Sequence, residues 1–289
     1  MGRRGSKRPP AFSGFALVDK PGGCTSHDVV QRMRRIFGQR QVGHTGTLDP
    51  LATGLLVVAL GYATRLARFV EARDKAYVAT VELGVGTDTY DADGTVTARS
   101  PFTGDVAAVD RALADLEGEM DQTVPAYSAV KVEGQRLYAR ARRNEAVALP
   151  SRRVTVHRLR RVALAGSRLE IETRVSKGTY VRSLAVQIGD ALGVPAHLSA
   201  LRRTAIGSLD VAAARPLDGF QGQAEELVTP AEALRDLPVV TLDPRGARAV
   251  GFGQPLPAAA LTARRGPAWQ PGGPVVLEDE AGRVLAVAA

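Results

Sequence analysis

The sequence has few of the features that mark secreted, metal-binding or membrane proteins. Its 289 residues include one cysteine, Cys24, which excludes an internal disulfide and a cysteine-based zinc site. No uninterrupted apolar stretch approaches the ~20 residues of a membrane-spanning helix. The first ten residues, MGRRGSKRPP, are basic and lack the apolar core of a secretory signal. We therefore expect a cytoplasmic protein in which residues 1–12 form a basic, disordered tail.

The usual cofactor motifs are also missing. The chain contains no G-x-x-x-x-G-K-[ST], no G-x-G-x-x-G and no H-E-x-x-H. The run Thr89–Gly94 is similar to a calcium loop, but Thr89 and Ser100 occupy the first and twelfth positions, where Asp and Glu are required. The sequence thus predicts a protein with no cofactor and no metal.

Positive charge is in excess, and it is concentrated in one part of the chain. The net charge is +8, and residues 131–161 contain ten Lys or Arg against two Glu. Residues 231–289 instead hold six basic and six acidic residues. A concentrated basic segment is typical of a surface that binds a polyanion, although a merely solvated basic face has the same composition. The one-sided distribution favours nucleic acid as the partner.

Hydrophobic periodicity predicts helices and strands that do not alternate as regular βαβ units. Apolar residues line one face of a predicted helix that begins at Ser26 and stops at Gly38. They recur at helical spacing in three further segments. Strands are indicated by unbroken or alternating apolar residues. The pattern predicts an α+β domain with a mixed, largely antiparallel sheet. The further segments are helices over Thr64–Glu71, Val106–Leu116 and Tyr180–Leu192, and strands over Phe15–Asp19, Leu55–Leu60, Tyr77–Leu83, Val154–Leu164 and Leu169–Val175.

The last fifty residues differ in composition from the rest. A capping box at Thr229, with Pro230 at the first helical position, begins one more helix near Leu237. Three short strands follow, separated by a Pro-, Ala- and Gly-rich stretch. We expect a main domain over residues 13–237 and a small β-rich module over residues 238–289. The three strands are Pro238–Leu242, Pro274–Leu277 and Val284–Val287.

One segment, GHTGTLDPLATGLL at residues 43–56, holds the strongest chemical signal. Asp49 is the only Asp, Glu, Lys or Arg between Gly43 and Gly61. Glycines and Pro50 shape the backbone around it, and a buried strand follows. An Asp in a loop is often a turn cap. Here the density of turn-forming residues favours a carboxylate that is presented for chemistry.

This segment resembles the catalytic loop of the TruB-type tRNA pseudouridine-55 synthases, and the resemblance continues in the family's order from about Gly14 to about Leu217. It implies the pseudouridine synthase fold, a mixed sheet with flanking helices and a central cleft, followed by a PUA-like C-terminal module. It implies isomerisation of uridine in the T-stem-loop of tRNA, without a cofactor. Asp49 matches the family's nucleophile. Arg182 matches the arginine that pairs with it, and we expect Arg182 to keep Asp49 ionised.

Other matched positions have expected roles in holding the base. Tyr77 matches the family's active-site tyrosine, which stacks on the base and accepts a proton. Tyr180 lies two residues before Arg182, so a strand continuing to Arg182 would place both on one face. Leu201 matches an apolar residue packed against the base. His44 is the candidate for filling the opened RNA loop.

Two further matches are expected to support the site. Lys20 matches the family's Lys-Pro element, which we interpret mainly as support beneath the active site. Asp88 and Asp91 are expected to cap turns or to hold an arginine of the catalytic face.

Several alternatives stay open at this level. A glycosylase or phosphodiesterase would need a placed water and a second carboxylate or a metal, and no such cluster is evident. A tRNA-folding chaperone needs only the basic segment. A pseudouridine synthase acting on another RNA, including a guide-dependent enzyme of the same family, is the remaining alternative. A monomer is the default expectation.

Overall fold

The structure is a computed structural model that describes residues 10–128, 130–132, 134–141, 143, 145, 148–256 and 258–288. Its described residues form two compact units. The first unit comprises residues 10–49, 55–72 and 206–288, and the second comprises residues 50–54 and 73–205. Residues 1–9 of the expected tail lie outside the described part of the chain. Phe12 is ordered against Phe37, with ring centroids 5.3 Å apart, and its backbone N–H donates to the Gln39 side chain at 3.1 Å.

The helices and strands are labelled in chain order. The α-helices of the described residues are α1 (Ser26–Ile36), α2 (Ala67–Glu71), α3 (Val106–Asp115), α4 (Leu137–Ala141), α5 (Val181–Ala191), α6 (Pro230–Ala233) and α7 (Pro244–Gly251). The strands are β1 (Gly14–Lys20), β2 (Val42–His44), β3 (Thr53–Leu60), β4 (Lys75–Leu83), β5 (Val85–Thr87), β6 (Val96–Arg99), β7 (Gly118–Thr123), β8 (Lys131–Val132), β9 (Gln135–Arg136), β10 (Ser151–Ala165), β11 (Arg168–Val175), β12 (Ala196–Ile206), β13 (Leu209–Asp210), β14 (Arg215–Pro216), β15 (Val239–Leu242), β16 (Leu261–Arg265), β17 (Val275–Asp279) and β18 (Val284–Ala288).

The first unit contains two sheets that share one apolar core. In the larger sheet β1 lies between β14 and β3, and β2 pairs with β3 in antiparallel orientation. The smaller sheet has the order β16-β15-β17-β18. Phe15 and Leu55 of the larger sheet pack in the same cluster as Val239 and Val276 of the smaller one. Burying apolar side chains from both sheets together stabilises their association, so the C-terminal sheet is built onto the first unit.

The C-terminal segment holds more structure than its composition indicated. The three expected strands are confirmed as β15, β17 and β18. The stretch between them also forms α7 and β16, which the sequence analysis missed. Asp243 caps α7, because its carboxylate accepts the N–H of Gly246 at 2.7 Å.

The second unit is built on a sheet with the order β12-β4-β11-β10-β7. Strands β4, β11, β10 and β7 pair in antiparallel orientation along this order. Helix α3 packs against β10, and α5 packs against β4 and β7. The buried residues of β4 follow the alternation that the sequence predicted, and the expected pairing of residues 154–164 with 169–175 is confirmed.

The fold class is therefore as expected. Antiparallel pairs predominate, and the parallel pairs β1–β14 and β3–β12 make the sheet mixed. The α+β prediction with a mixed, largely antiparallel sheet and a β-rich C-terminal module is confirmed. None of the described helices has the length and apolar character that crossing a membrane requires.

Candidate active site

Asp49 lies in the loop between β2 and β3, within the first unit, and its side chain is half-buried. The first residue of the loop is bonded to β3, because the Thr45 N–H donates to the Val57 carbonyl at 3.0 Å. The Gly46 N–H donates to Nδ1 of His44 at 3.3 Å. His44 is half-buried at the end of β2. These bonds hold the loop close to the β2–β3 pair.

A serine outside the loop fixes the residue that precedes Asp49. The buried Ser26 hydroxyl accepts the Leu48 N–H at 2.8 Å and donates to the Leu48 carbonyl at 3.0 Å. Ser26 is the first residue of α1, and Thr25 is its N-cap. The helix start at Ser26 is predictable from the sequence, whereas this contact joins residues that are distant in sequence. Two adjacent hydroxyl residues at a helix start were the available signal, since capping needs only one of them.

Helix α1 begins with a complete capping box. The Thr25 hydroxyl accepts the Asp28 N–H at 3.1 Å, and the Asp28 carboxylate accepts the Thr25 N–H at 2.9 Å. Hydrogen bonds to the carboxylate from the Thr25 side chain and then its backbone hold the pKa of Asp28 below its ordinary value. The box therefore depends on an ionised carboxylate.

The depressed pKa of Asp28 predicts a pH-dependent contribution to folding. The contribution is complete above the unfolded pKa of ~3.9 and is lost as the pH falls through the lower folded value. We expect an Asp28→Asn variant to be less stable than wild type at pH 7. The difference should shrink towards zero as the pH falls through the folded pKa of Asp28. A series of urea unfolding curves from pH 7 into the acid range measures it, and a difference that does not change with pH would contradict the assignment.

Gly54, the second residue of β3, permits a close backbone approach. Its φ is +95°, and a Cβ at this position would lie 2.3 Å from the Arg203 carbonyl oxygen of β12. Thr53 and Gly54 pair in parallel with Arg202 and Arg203. Only glycine combines this backbone conformation with this separation, so the sequence signal at Gly54 has a structural cause.

Lys20 ends β1 and is fully buried. Its ammonium group donates to the Pro21 carbonyl at 2.9 Å. This placement is in keeping with the supporting role that the Lys-Pro element suggested.

In the second unit, Arg182 forms the centre of a buried polar cluster. Its Nη1 donates to the Thr89 carbonyl and its Nη2 to the Tyr127 carbonyl, both at 2.8 Å. Nη1 also lies 3.4 Å from the Asp91 carboxylate, and the two side chains are 5% and 7% exposed. The planar guanidinium thus spans three acceptors, a geometry that lysine does not reproduce.

Asp91 is itself fixed by its own turn. One carboxylate oxygen accepts the Thr89 hydroxyl at 2.6 Å and the Asp93 N–H at 3.2 Å. The Asp91 carbonyl accepts the Thr87 hydroxyl at 2.7 Å. The expectation that an aspartate here caps a turn or holds an arginine is confirmed for Asp91 on both counts.

Tyr90, between the acceptors Thr89 and Asp91 of Arg182, has a left-handed backbone with φ of +65°. This conformation costs a non-glycine residue about 1–2 kcal/mol, and least for Asn. The turn aims the Thr89 carbonyl and the Asp91 carboxylate at one guanidinium. The conformation is therefore a part of the Arg182 cluster.

Two substitutions at this position test the left-handed turn. We expect the free energy of unfolding of Tyr90→Val to be about 1–2 kcal/mol lower than that of Tyr90→Asn, because a β-branched residue is strained in this conformation and Asn is not. Urea denaturation of the two variants gives the comparison. Equal stabilities would show that the turn does not depend on a left-handed residue.

Tyr180 occupies the N-cap position of α5, which confirms the helix predicted over Tyr180–Leu192 and not the alternative of a continuing strand. Strand β11 ends at Val175, and a turn through Gly178 with φ of +84° separates it from the helix. Tyr180 and Arg182 are therefore not alternate residues of one strand, because Arg182 is already helical. The Tyr180 N–H donates to the Gln122 side chain at 2.7 Å. The Arg152 guanidinium lies 5.2 Å from the Tyr180 ring centroid, within cation–π range.

Tyr77 and Leu201 lie on neighbouring strands of the second unit. Tyr77 is buried on β4, opposite Thr173 of β11. Leu201 is buried on β12, which is the other neighbour of β4. The second unit therefore holds Tyr77, Tyr180, Arg182 and Leu201, and the first unit holds Lys20, His44 and Asp49.

The basic segment is partly neutralised within the fold. Arg153 of β10 lies 3.2 Å from the Glu119 carboxylate, and Arg161 lies 2.8 Å from Asp110. Arg140 and Glu145 are 3.1 Å apart. Asp110 and Glu119 precede the segment, so the charge count over residues 131–161 omits them, whereas it includes Glu145. Arg158 and Arg160 are exposed on β10 and supply positive charge to its surface.

No group of three or more His, Cys, Asp or Glu side chains in the described part of the chain is arranged to hold a metal ion. The polar groups that do cluster are the guanidinium of Arg182, the carboxylate of Asp91 and backbone carbonyls. These groups pair with one another, so within the described residues the cluster fixes the Arg182 side chain.

Comparison with known proteins places these features in a family. Residues 34–181 match the model of the TruB family pseudouridylate synthase N-terminal domain. A tRNA pseudouridine synthase B of Thermobifida fusca is 46% identical over 286 residues, covering 95% of this chain and 94% of that protein. The corresponding protein of Corynebacterium aurimucosum is 42% identical over 284 residues, covering 96% of each.

Solved structures give the same result. An H/ACA RNP bound to a substrate RNA containing 2'-deoxyuridine has a chain that superposes with a TM-score of 0.74 at 26% identity. The match covers 95% of this chain and 77% of that one. The sequence identity, the coverage and the fold agree, and this chain belongs to the TruB family of pseudouridylate synthases.

Proposed function

We propose that this protein isomerises uridine to pseudouridine at position 55, in the T-loop of tRNA, with Asp49 as the nucleophile. Membership of the family and the tRNA pseudouridine synthase B names of its relatives support the reaction. The observation that carries the assignment to Asp49 is its loop, where Ser26 and the β2–β3 pair fix the backbone on both sides of a single carboxylate.

The reaction requires little beyond these groups. The bond between N1 of uracil and the ribose breaks, the base turns, and C5 forms the new bond to the ribose. C5 then loses its proton and N1 gains one, so atoms and electrons balance without an oxidant or an energy source. The proposal accordingly includes no cofactor.

Each site residue has a proposed task. Asp49 attacks the nucleoside, and the bond that it forms breaks again before the product leaves, so the carboxylate is regenerated. The positive charge of Arg182 keeps Asp49 ionised, since a nearby cation favours the charged form of a carboxylate. Tyr77 stacks on the base and accepts the C5 proton. Tyr180 and Leu201 bound the base on its other sides.

The target base has to leave the folded tRNA loop before it can react. Enzymes that modify a base take it out of its stack, at a cost of a few kcal/mol. We propose that His44 stacks in the opened loop and that Lys20 supports the base-binding side from beneath. Exposed arginines of β10, such as Arg158 and Arg160, supply charge for the phosphate backbone.

Among RNA substrates, tRNA is favoured over a guide-directed target. The relatives named for tRNA are 42–46% identical over nearly the whole chain. The chain of the H/ACA RNP is 26% identical. Since identity is higher to the tRNA enzymes, we propose a stand-alone tRNA enzyme.

The proposal extends to the organisation of the chain. Residues 13–237 form the catalytic domain and residues 238–289 a PUA-like module, in a monomer that acts in the cytoplasm. The shared core of Phe15, Leu55, Val239 and Val276 supports a module fixed to its domain rather than one on a free linker.

Incubation with an unmodified tRNA transcript tests the reaction. Isomerisation leaves the RNA mass unchanged and converts one uridine to pseudouridine, as nucleoside analysis after digestion measures. Release of free uracil or of RNA fragments would indicate a hydrolase. Faster tRNA folding without any pseudouridine would indicate a chaperone, and in that case Asp49→Asn would act like wild type.

A further inference from the structure

We infer that Ser26 is a positioning residue for the nucleophile Asp49, an inference that rests on the proposed function. The Ser26 hydroxyl makes two hydrogen bonds to one loop residue, Leu48, and Leu48 is covalently joined to Asp49. Residues 26 and 48 are distant in sequence, so this contact ties the loop to an element outside it.

The two bonds constrain the backbone more than either would alone. The hydroxyl accepts the Leu48 N–H at 2.8 Å and donates to the Leu48 carbonyl at 3.0 Å. A hydroxyl has one donor proton and two acceptor lone pairs, so a single oxygen atom serves both groups. The N–H and carbonyl of one residue are then held relative to the same atom, which fixes the orientation of the peptide leading into Asp49.

Burial makes the contact costly to lose. The exposed fractions of Ser26 and Leu48 are 2% and 3%. A backbone group buried without a partner loses its hydrogen bond to water and gains none in return. Replacing the hydroxyl by hydrogen leaves both groups of Leu48 in that state. The loop is expected to respond by moving, and Asp49 moves with it.

Helix α1 gives Ser26 a rigid base. The capping box of Thr25 and Asp28 closes the first turn of the helix. Val29, Val30 and Met33 bury the helix in the first unit. The Ser26 hydroxyl therefore anchors the loop to a packed helix. A reactive group on a loop needs such an anchor to keep its geometry.

The test compares Ser26→Ala with Ser208→Ala. Ser208 is in the same unit and also makes a side-chain hydrogen bond, accepting from Arg235 Nε at 2.9 Å, but it is outside the loop. With the full chain and a tRNA transcript, we expect Ser26→Ala to lower the single-turnover rate by about 10–100-fold, because a shift of about 1 Å in a reacting group costs up to ~10²-fold. The Kd for tRNA should stay within about twofold. Ser208→Ala should retain the wild-type rate.

Amide hydrogen exchange distinguishes a local change at the loop from a general loss of stability. In Ser26→Ala, the Leu48 amide should exchange faster while the amides of β3 keep their protection. Ser26→Cys keeps a weak donor and acceptor of similar shape, and it should have an intermediate rate. If Ser26→Ala does not fold, Ser26→Cys is judged by the same rate, affinity and exchange measurements.

The outcomes separate this inference from the proposed function. An active wild-type enzyme with Ser26→Ala within twofold of its rate would overturn the inference and leave the function standing. A loss of rate explained wholly by weaker tRNA binding, or by uniform loss of amide protection, would overturn it as well. A wild-type protein that makes no pseudouridine would overturn the proposed function and this inference together.

Discussion

An Asp49→Asn variant is expected to bind tRNA and to form no measurable pseudouridine. The amide has nearly the same shape as the carboxylate, so the loop contacts of Leu48, Thr45 and Gly46 remain. It lacks the negative charge and the nucleophilic oxygen that the reaction needs. Loss of a covalent catalyst commonly costs about 10⁴–10⁶-fold in rate, and we expect a loss of at least about 10⁴-fold here.

The measurement is a single-turnover assay with a Kd determination on the same preparation. Asp93→Asn is the matched control, because Asp93 is an exposed aspartate whose side chain is outside the proposed site. The control should retain the wild-type rate. Asp49→Asn retaining a tenth of that rate would contradict the assignment of Asp49 as nucleophile.

The second large effect is expected for Arg182→Met. The substitution keeps an unbranched apolar stem but removes the donors to Thr89 and Tyr127 and the charge beside Asp91. A buried carboxylate deprived of its partner costs about 3–5 kcal/mol, so the free energy of unfolding should fall by roughly that amount. Turnover should fall by about 10³-fold or more, since the charge that we propose to keep Asp49 ionised is lost as well.

Two further variants serve as controls for Arg182→Met. Arg182→Lys retains a charge without the planar fork and should recover part of the stability and little of the turnover. Arg174→Met removes an arginine that is 59% exposed and paired with Asp74, and it should change stability by less than about 1 kcal/mol. Normal turnover in Arg182→Met, at a temperature where the variant is folded, would contradict the role of Arg182.

The main elements were predictable from the sequence because their patterns are local. The apolar run of β3, the alternation in β4 and the helical spacing in α1 each show which side of the element is buried. The structure buries those sides. Helix α7 was hidden, because it is short and contains two glycines and only one large apolar residue, Val250. Its Asp243-Pro244 start was the available signal.

The polar contacts of the site were less predictable, because each joins residues that are distant in sequence. The helix predicted over Tyr180–Leu192 forms as α5, and the Gly178 turn before it rules out the alternative of a strand that continues to Arg182. Gln122 is fully buried and holds the N-terminus of α5 through Tyr180. A polar residue on a strand indicates an exposed face, so nothing in its sequence neighbourhood signals that role.

The basic segment illustrates the limit of counting charges. Ten basic residues between positions 131 and 161 indicated a concentrated positive surface. In the fold, Arg153 and Arg161 meet carboxylates from β7 and α3. Exposed ion pairs of this kind contribute little to stability. They lower the local positive charge, and the charge available to RNA is smaller than the composition suggests.

Mapping pseudouridine in a reacted tRNA transcript tests the central claim most directly. Single-nucleotide mapping of pseudouridine, with total RNA mass measured in parallel, should find one modified uridine, at position 55 in the T-loop. Wild-type protein should produce it, and Asp49→Asn should not. Pseudouridine at other positions only, or none at any position with active control enzyme present, would contradict the claim.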